Sequence, residues 1–194
     1  MATNKFGVGV RDMMIFPLKA ETDSAKPTYD AALEIGDTNA IKASPSTANA
    51  TADGDDKQVA NISMTTGWSV EWTGWGVPDV TAGTLYGHTV TGEDGKKQVD
   101  EKMEDIAPYV GIGYIRTMAD KTNTKTFKAY YYYKAQAVQG DEESNSGGSS
   151  LNLASTTVTF NAIEPSFGPT RSYQEFATEA EAVTWIKTQA GQGA

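Results

Sequence analysis

The chain has 194 residues, enough for one large domain or two small ones that bury roughly 70% of their surface on folding, so it needs no covalent staple. It contains no cysteine, which excludes disulfides, thiolate metal sites and cysteine nucleophiles together. Lys and Arg number 16 against 25 Asp and Glu, a net charge of −9 that repels phosphate backbones and anionic lipid heads and so disfavours nucleic-acid affinity.

At the start of the chain Phe6, Val8, Val10, Met14 and Phe16 share one parity and predict a first strand that Pro17 closes. Arg11 and Asp12 interrupt the apolar pattern, so the opening reads neither as a signal peptide nor as a membrane span, and a cytoplasmic product is expected. Glu21 to Tyr29, with Pro27, predicts a loop. Ala32 to Lys42 predicts a second strand carrying Leu33, Ile35 and Ile41, with a turn or bulge at Gly36-Asp37. Ala43 to Lys57, ASPSTANATADGDDK, has no large apolar residue and predicts a long loop, either solvated and mobile or functional.

Ile62, Met64, Thr66, Trp68, Val70 and Trp72 alternate with Ser63, Thr65, Gly67, Ser69 and Glu71 and predict a half-buried strand with one apolar face. Trp75 and Val77 continue past Gly74, and Pro78 with Asp79 opens a short helical turn reaching Leu85 and Tyr86. Glu93 to Asp105, with the turn pair Asp94-Gly95, predicts an exposed excursion holding a hairpin or short helix. Pro108 to Met118 predicts a strand whose Gly111 and Gly113 leave a shallow track for an aromatic of a neighbouring strand.

Lys121 to Thr124 is a hairpin connection into Lys125 to Gln139, KTFKAYYYYKAQAVQ, a long strand without Gly or Pro. Phe127, Ala129, Tyr131, Tyr133, Ala135 and Ala137 form its core face. Lys128, Tyr130, Tyr132 and Lys134 form the other, whose phenols between lysines suit a protein contact surface. Asp141 to Ser150 is acidic and then Gly/Ser-rich, a flexible loop. Leu151 to Phe160 returns as a strand and completes an antiparallel ladder with 108–118 and 125–139. At the C-terminal end Thr178 and Glu181 form a capping box, Ala182, Val183, Ile186 and Ala190 an apolar stripe, and Gly191 a stop, which together predict a helix over about 179–190 lying across a sheet. The expectation is one mostly-β domain over 1–194, two packed antiparallel sheets in a sandwich or barrel, with a flanking α-helix and a short one near residue 80.

Chemistry-bearing constellations are sparse. His88 is the sole histidine, so no histidine triad or multi-histidine metal site can be built in one chain, and an exposed or capping role is expected. GVGVRD at Gly7 lacks the third glycine of a dinucleotide loop. Asp53, Asp55 and Asp56 resemble a fragment of a calcium loop without its closing glutamate and read as turn charges. Glu142 and Glu143 lie where nothing separates their pKa values as acid/base catalysis requires. Trp68, Trp72 and Trp75 offer a carbohydrate-stacking platform, the alternative function, or else core packing. No enzymatic activity, cofactor or metal is expected.

The order MATNKFGVGVRDMMIFP, a long polar loop to about Lys57, ISMTTGWSVEW, PYVGIGYIRT and TFKAYYYYKAQA resembles the major tail proteins, or tail tube proteins, of long flexible-tailed bacteriophages over most of residues 1–165. The resemblance implies two packed β-sheets with a flanking helix, six copies in a ring, and rings stacked into a tube that conducts DNA out of the capsid. It also implies a virion-tail location after assembly in the host cytoplasm, with the chain itself, the tape measure, tail tip and terminator proteins as partners, DNA passing without specific binding, and no membrane. By segment, the loop with Pro45, Asn49, Asp53, Asp55 and Asp56 corresponds to the one that reaches the adjacent ring, and Lys128, Tyr130, Tyr132 and Lys134 become a subunit interface. The segment 171–194 departs from a minimal member.

Overall fold

The computed structural model describes residues 4–93, 95–140 and 154–193, with the side-chain placement at 53 and 54 left out. The flexible loop expected at 141–150 and the start of the strand expected from Leu151 lie outside the described residues.

The first strand, β1 (Lys5–Thr22), runs straight through Pro17. It can do so because Pro17 sits where the strand changes partners. Before it β1 pairs with β7 (Tyr109–Asp120), and after it with β2 (Ala25–Tyr29), so the missing N–H falls at the changeover. β2 replaces the loop expected at 21–29; it is an edge strand, the one place where Pro27 fits a ladder. A bulge between Arg11 and Met14, with Asp12 at φ 53°, reverses the parity of β1. Val10, Met13 and Ile15 therefore share one core while Met14, Phe16 and Leu18 face another, and Phe6 and Val8 stay exposed.

β3 (Asp37–Gly54) and β4 (Lys57–Trp75) form a long hairpin, followed by α1 (Asp79–Tyr86) and the small ribbon β5 (Thr89–Thr91) with β6 (Gln98–Asp100). β8 (Lys125–Val138), β9 (Thr156–Ala162), β10 (Arg171–Phe176) and α2 (Glu179–Gln189) complete the chain. The large sheet is antiparallel in the order β2-β1-β7-β8-β9-β4-β3, with β10 added beside β8. The protein is thus mostly β with two helices, and its two layers belong to one continuous ladder. The expected β7-β8-β9 neighbours pair as such, whereas β10 falls in the C-terminal segment where no strand was expected.

β8 organises the sheet by serving two partners along one edge. Residues 127–132 pair with β10 and residues 135–138 with β9, and a bulge at 133–134 separates the two ladders. The sheet curls around a core of Ile15, Val70, Trp72, Ile112, Tyr132 and Phe160, closed at one end by Leu85 of α1. The last strand β3 and the stretch of β1 ahead of its β2 ladder come into contact without pairing along the seam. The outer core, Phe16, Tyr29, Ile115, Tyr131 and Tyr133, lies under α2, whose Ala182, Ile186 and Ala190 face it. The Thr178 capping box and Gly191 at φ 69° bound α2 as the sequence predicts. The glycine track is also filled as expected: a Cβ at Gly111 would lie 2.3 Å from the Tyr131 hydroxyl, and one at Gly113 3.2 Å from the Tyr131 ring.

Candidate assembly surface

The segment expected as a polar loop is the outer half of a β-hairpin. Pairing continues from Asp37 opposite Trp75 to Gly54 opposite Lys57, and Asp55 and Asp56, at φ 51° and 61°, make the two-residue primed turn that matches strand twist. β9 supports β4 only from Trp68 to Gly74. Beyond Pro45 and Trp68 the hairpin is a bare two-stranded arm, exposed at 45–52 and 55–66. Threonine-rich, Pro-poor sequence with good turn chemistry allows the ladder even without large apolar residues on β3.

One extra residue sets the arm's polarity. Ser46 pairs with Gly67 but Thr47 pairs with Thr65, so Thr66 is bulged, its hydroxyl donating to Ser46 O at 3.2 Å. β3 keeps its alternation, while the side-chain parity of β4 reverses. In the body Val70 and Trp72 point to the core and Ser69 and Glu71 to the outside. On the arm Ile62, Met64 and Ala60 join Ala48, Ala50 and Ala52 on that outside face, opposite Thr47, Asn49, Thr51, Asn61, Ser63 and Thr65. Ile62 and Met64 are 60% and 64% exposed, which corrects the expectation that they share the buried face of Val70 and Trp72. The arm is amphipathic, and its apolar face cannot reach the subunit's own core.

A second feature lies at the seam, where a cleft of about 420 Å³ opens between Gly7, Gly9 and Val10 of β1 and Asn39 to Ala43 of β3. Tyr114, Arg116, Tyr130 and Arg171 line its floor. They belong to a grid across β7, β8 and β10 whose rows in register are Ile112, Tyr132 and Arg171, then Tyr114, Tyr130 and Tyr173, then Arg116, Lys128 and Glu175. Tyr114 stacks on Tyr130 at 5.1 Å and 20°. The Arg171 guanidinium lies 3.8 Å over the Trp68 ring and donates to the Tyr132 hydroxyl at 3.3 Å. Glu175 is bound to Lys5, which holds its carboxyl below the usual range. Burial, with the Tyr132 hydroxyl adding, pushes the Tyr114 phenol well above its ordinary value, so it stays neutral. Arg116 and Arg171 form no ion pair with any described residue, and no carboxylate lines the cleft.

The residues singled out from sequence divide between these features and the interior. Pro45 and Asn49 are exposed on the arm and Asp55 and Asp56 form its tip, while the side chain of Asp53 lies outside the described set. The face of Lys128, Tyr130, Tyr132 and Lys134 is largely internal. Tyr132 is fully buried in the subunit's core and Tyr130 half-buried, because β9 and β4 curl back over that side of β8. Lys128 sits 4.3 Å over the Tyr173 ring, and Lys134, turned by the bulge, pairs with Glu21 at 2.6 Å. Sequence reasoning missed Arg116 and Arg171; the signal was their place in register with tyrosines on strands whose pairing the pattern alone does not give.

His88 is buried rather than exposed: its Nδ1 lies 2.8 Å from Asp105 Oδ2, clipping the β5-β6 excursion to the end of α1. The tryptophans do not make a joint platform, since Trp72 is in the core and Trp68 lies under Arg171. Among the described residues no three Asp, Glu or His side chains converge as metal ligands would, and no helix is long and apolar enough to cross a membrane. No protein-family model matches the chain, and no curated protein matches it in sequence.

Proposed function

We propose that this chain is the repeating subunit of a phage tail tube, self-assembling into stacked hexameric rings that conduct DNA. The observation that carries the reading is the amphipathic arm. A two-stranded hairpin is marginally stable on its own, and an exposed apolar ribbon with a free edge invites association. Ile62 and Met64 together represent about 3–6 kcal/mol of burial not realised in the single chain. An arm of this kind is completed by a neighbouring copy, and repetition of that contact builds a ring or a stack. The body supplies the rigid base: one curled sheet locked on its outer side by α2.

The acidic balance is compatible with a conduit, since six copies at −9 each repel a polyanion rather than retain it. Tape measure, tail tip and terminator proteins are the further partners under this reading, and the virion tail its location. Electron microscopy of concentrated protein with a tail-tip nucleus is the test. Hollow tubes or rings are the expected result, and a strictly monomeric sample under those conditions overturns the proposal.

A further inference from the structure

The geometry points to the arginine cleft at the β1-β3 seam as the receptor for the aspartate turn at the arm tip of a second copy of this chain. The inference rests on the self-assembly reading and specifies its contact. Two guanidinium groups without a carboxylate partner among the described residues are unusual in a chain with nine more acidic than basic side chains. Arg171 is held flat over Trp68 and tied to Tyr132, an orientation that costs little further ordering when an oxyanion arrives. Arg116 lies against Gly7, where any Cβ would come within 2.7 Å of its guanidinium, so the absence of a side chain makes room for it. The walls of the cleft are small or neutral: Gly9, Ala40 and Ala43 beside the Tyr114 and Tyr130 rings. That composition fits a carboxylate carried on a narrow backbone turn.

The complementary group is on the same strand. β3 lines the cleft at Asn39 to Ala43 and ends in the turn Asp55-Asp56, whose left-handed backbone projects two carboxylates with no ion-pair partner among the described residues. The eleven residue steps from Ala43 to Gly54 span about 36 Å as a strand. A paired ribbon cannot fold back over that distance, so the tip of one molecule reaches only the cleft of another. The contact is head-to-tail, the type that propagates into rings or stacks.

The chain has no cysteine, so engineered pairs report the contact without background. One protein carries Gly9→Cys, at a position where a Cβ meets nothing within 4 Å, and a second carries Lys57→Cys beside the turn. Mixed at high concentration and low salt under mild oxidation, they are expected to give a mixed disulfide dimer at least tenfold above either protein alone. The dimer is expected to be lost when Asp55→Lys/Asp56→Lys is added to one protein or Arg116→Glu/Arg171→Glu to the other, and regained when both sets are present. Tubes in the micrograph without a mixed disulfide overturn the docking and leave the tube reading standing. A charge-dependent disulfide in a sample that never forms tubes supports the docking and removes the tube. No charge-dependent disulfide in any sample overturns the docking outright.

Discussion

The Tyr133 hydroxyl donates to Gln189 Oε1 at 2.8 Å, joining the tyrosine strand to the C-terminal helix. Lys26 Nζ reaches the same oxygen at 2.6 Å, so one side-chain amide ties β8, α2 and the edge strand β2. Tyr133→Phe leaves Gln189 with its lysine and is expected to cost about 1 kcal/mol. Tyr133→Ala removes a buried ring and is expected to cost about 3–5 kcal/mol. Urea melts of both variants measure the difference; equal losses would show that the hydroxyl, and not the ring, holds the helix.

At Gly113 α2 lies close against the sheet, since a Cβ there would lie 2.5 Å from Ile186 Cγ2. Gly113→Ala is expected to push the helix outward and destabilise by about 1–3 kcal/mol. Gly9→Ala, at an open position of the neighbouring β1, is the control and should leave the melt within about 0.5 kcal/mol.

Glu21 accepts from Lys134 Nζ and from the Ser166 backbone N–H, each at 2.6 Å, and these bonds, the lysine first, hold its carboxyl below its ordinary value. Between the folded and unfolded pKa values the unfolded chain binds more protons, so stability rises with pH there. The contribution is complete above the ordinary value of 4.5 and is lost as pH falls through the lowered folded value. Glu21→Gln should weaken the protein at pH 7 and approach the parent as pH drops toward 3. Urea midpoints of the two proteins across that range test this, and parallel curves would refute it.

The arm separates folding from assembly. Ile62→Ser/Met64→Ser should leave the melting curve unchanged, since both side chains are exposed in the single subunit, and raise the concentration needed for assembly about 100-fold, from roughly 3 kcal/mol of burial lost between copies. Replacing residues 47–65 by an Asn-Gly turn should likewise fold and fail to assemble. Removing only 45–56 takes out one strand of the ribbon and leaves 57–66 unpaired, so its failure would carry less meaning. Unaltered assembly of the serine variant, measured by sedimentation, would exclude the apolar face as the contact.

Much of the body was legible from local pattern. The α2 limits follow from Thr178, Glu181 and Gly191, the β7-β8 hairpin from the KTNT connection, and the seating of Tyr131 over Gly111 and Gly113 from the missing side chains. β2 and β10 were not, because Pro27 and the mixed RSYQEF sequence form strands only where an edge of another strand is waiting for them.

The sequence by itself determined the fold class, the C-terminal helix, the polar character of residues 43–57 and the faces of β8 up to Tyr132. It could not assign direction. The even-numbered series from Ile62 to Trp72 is unbroken on paper, yet one unpaired residue at Thr66 turns Ile62 and Met64 away from the core that holds Val70 and Trp72. A bulge is a property of two strands in register, beside a Gly67 where a Cβ would lie 2.8 Å from Ala162 O, and neither partner's sequence records it alone. The tertiary structure likewise put Tyr132 inside and Arg116 and Arg171 around an open seam, because only the curl of the sheet decides which part of that face of β8 is covered and which stays open.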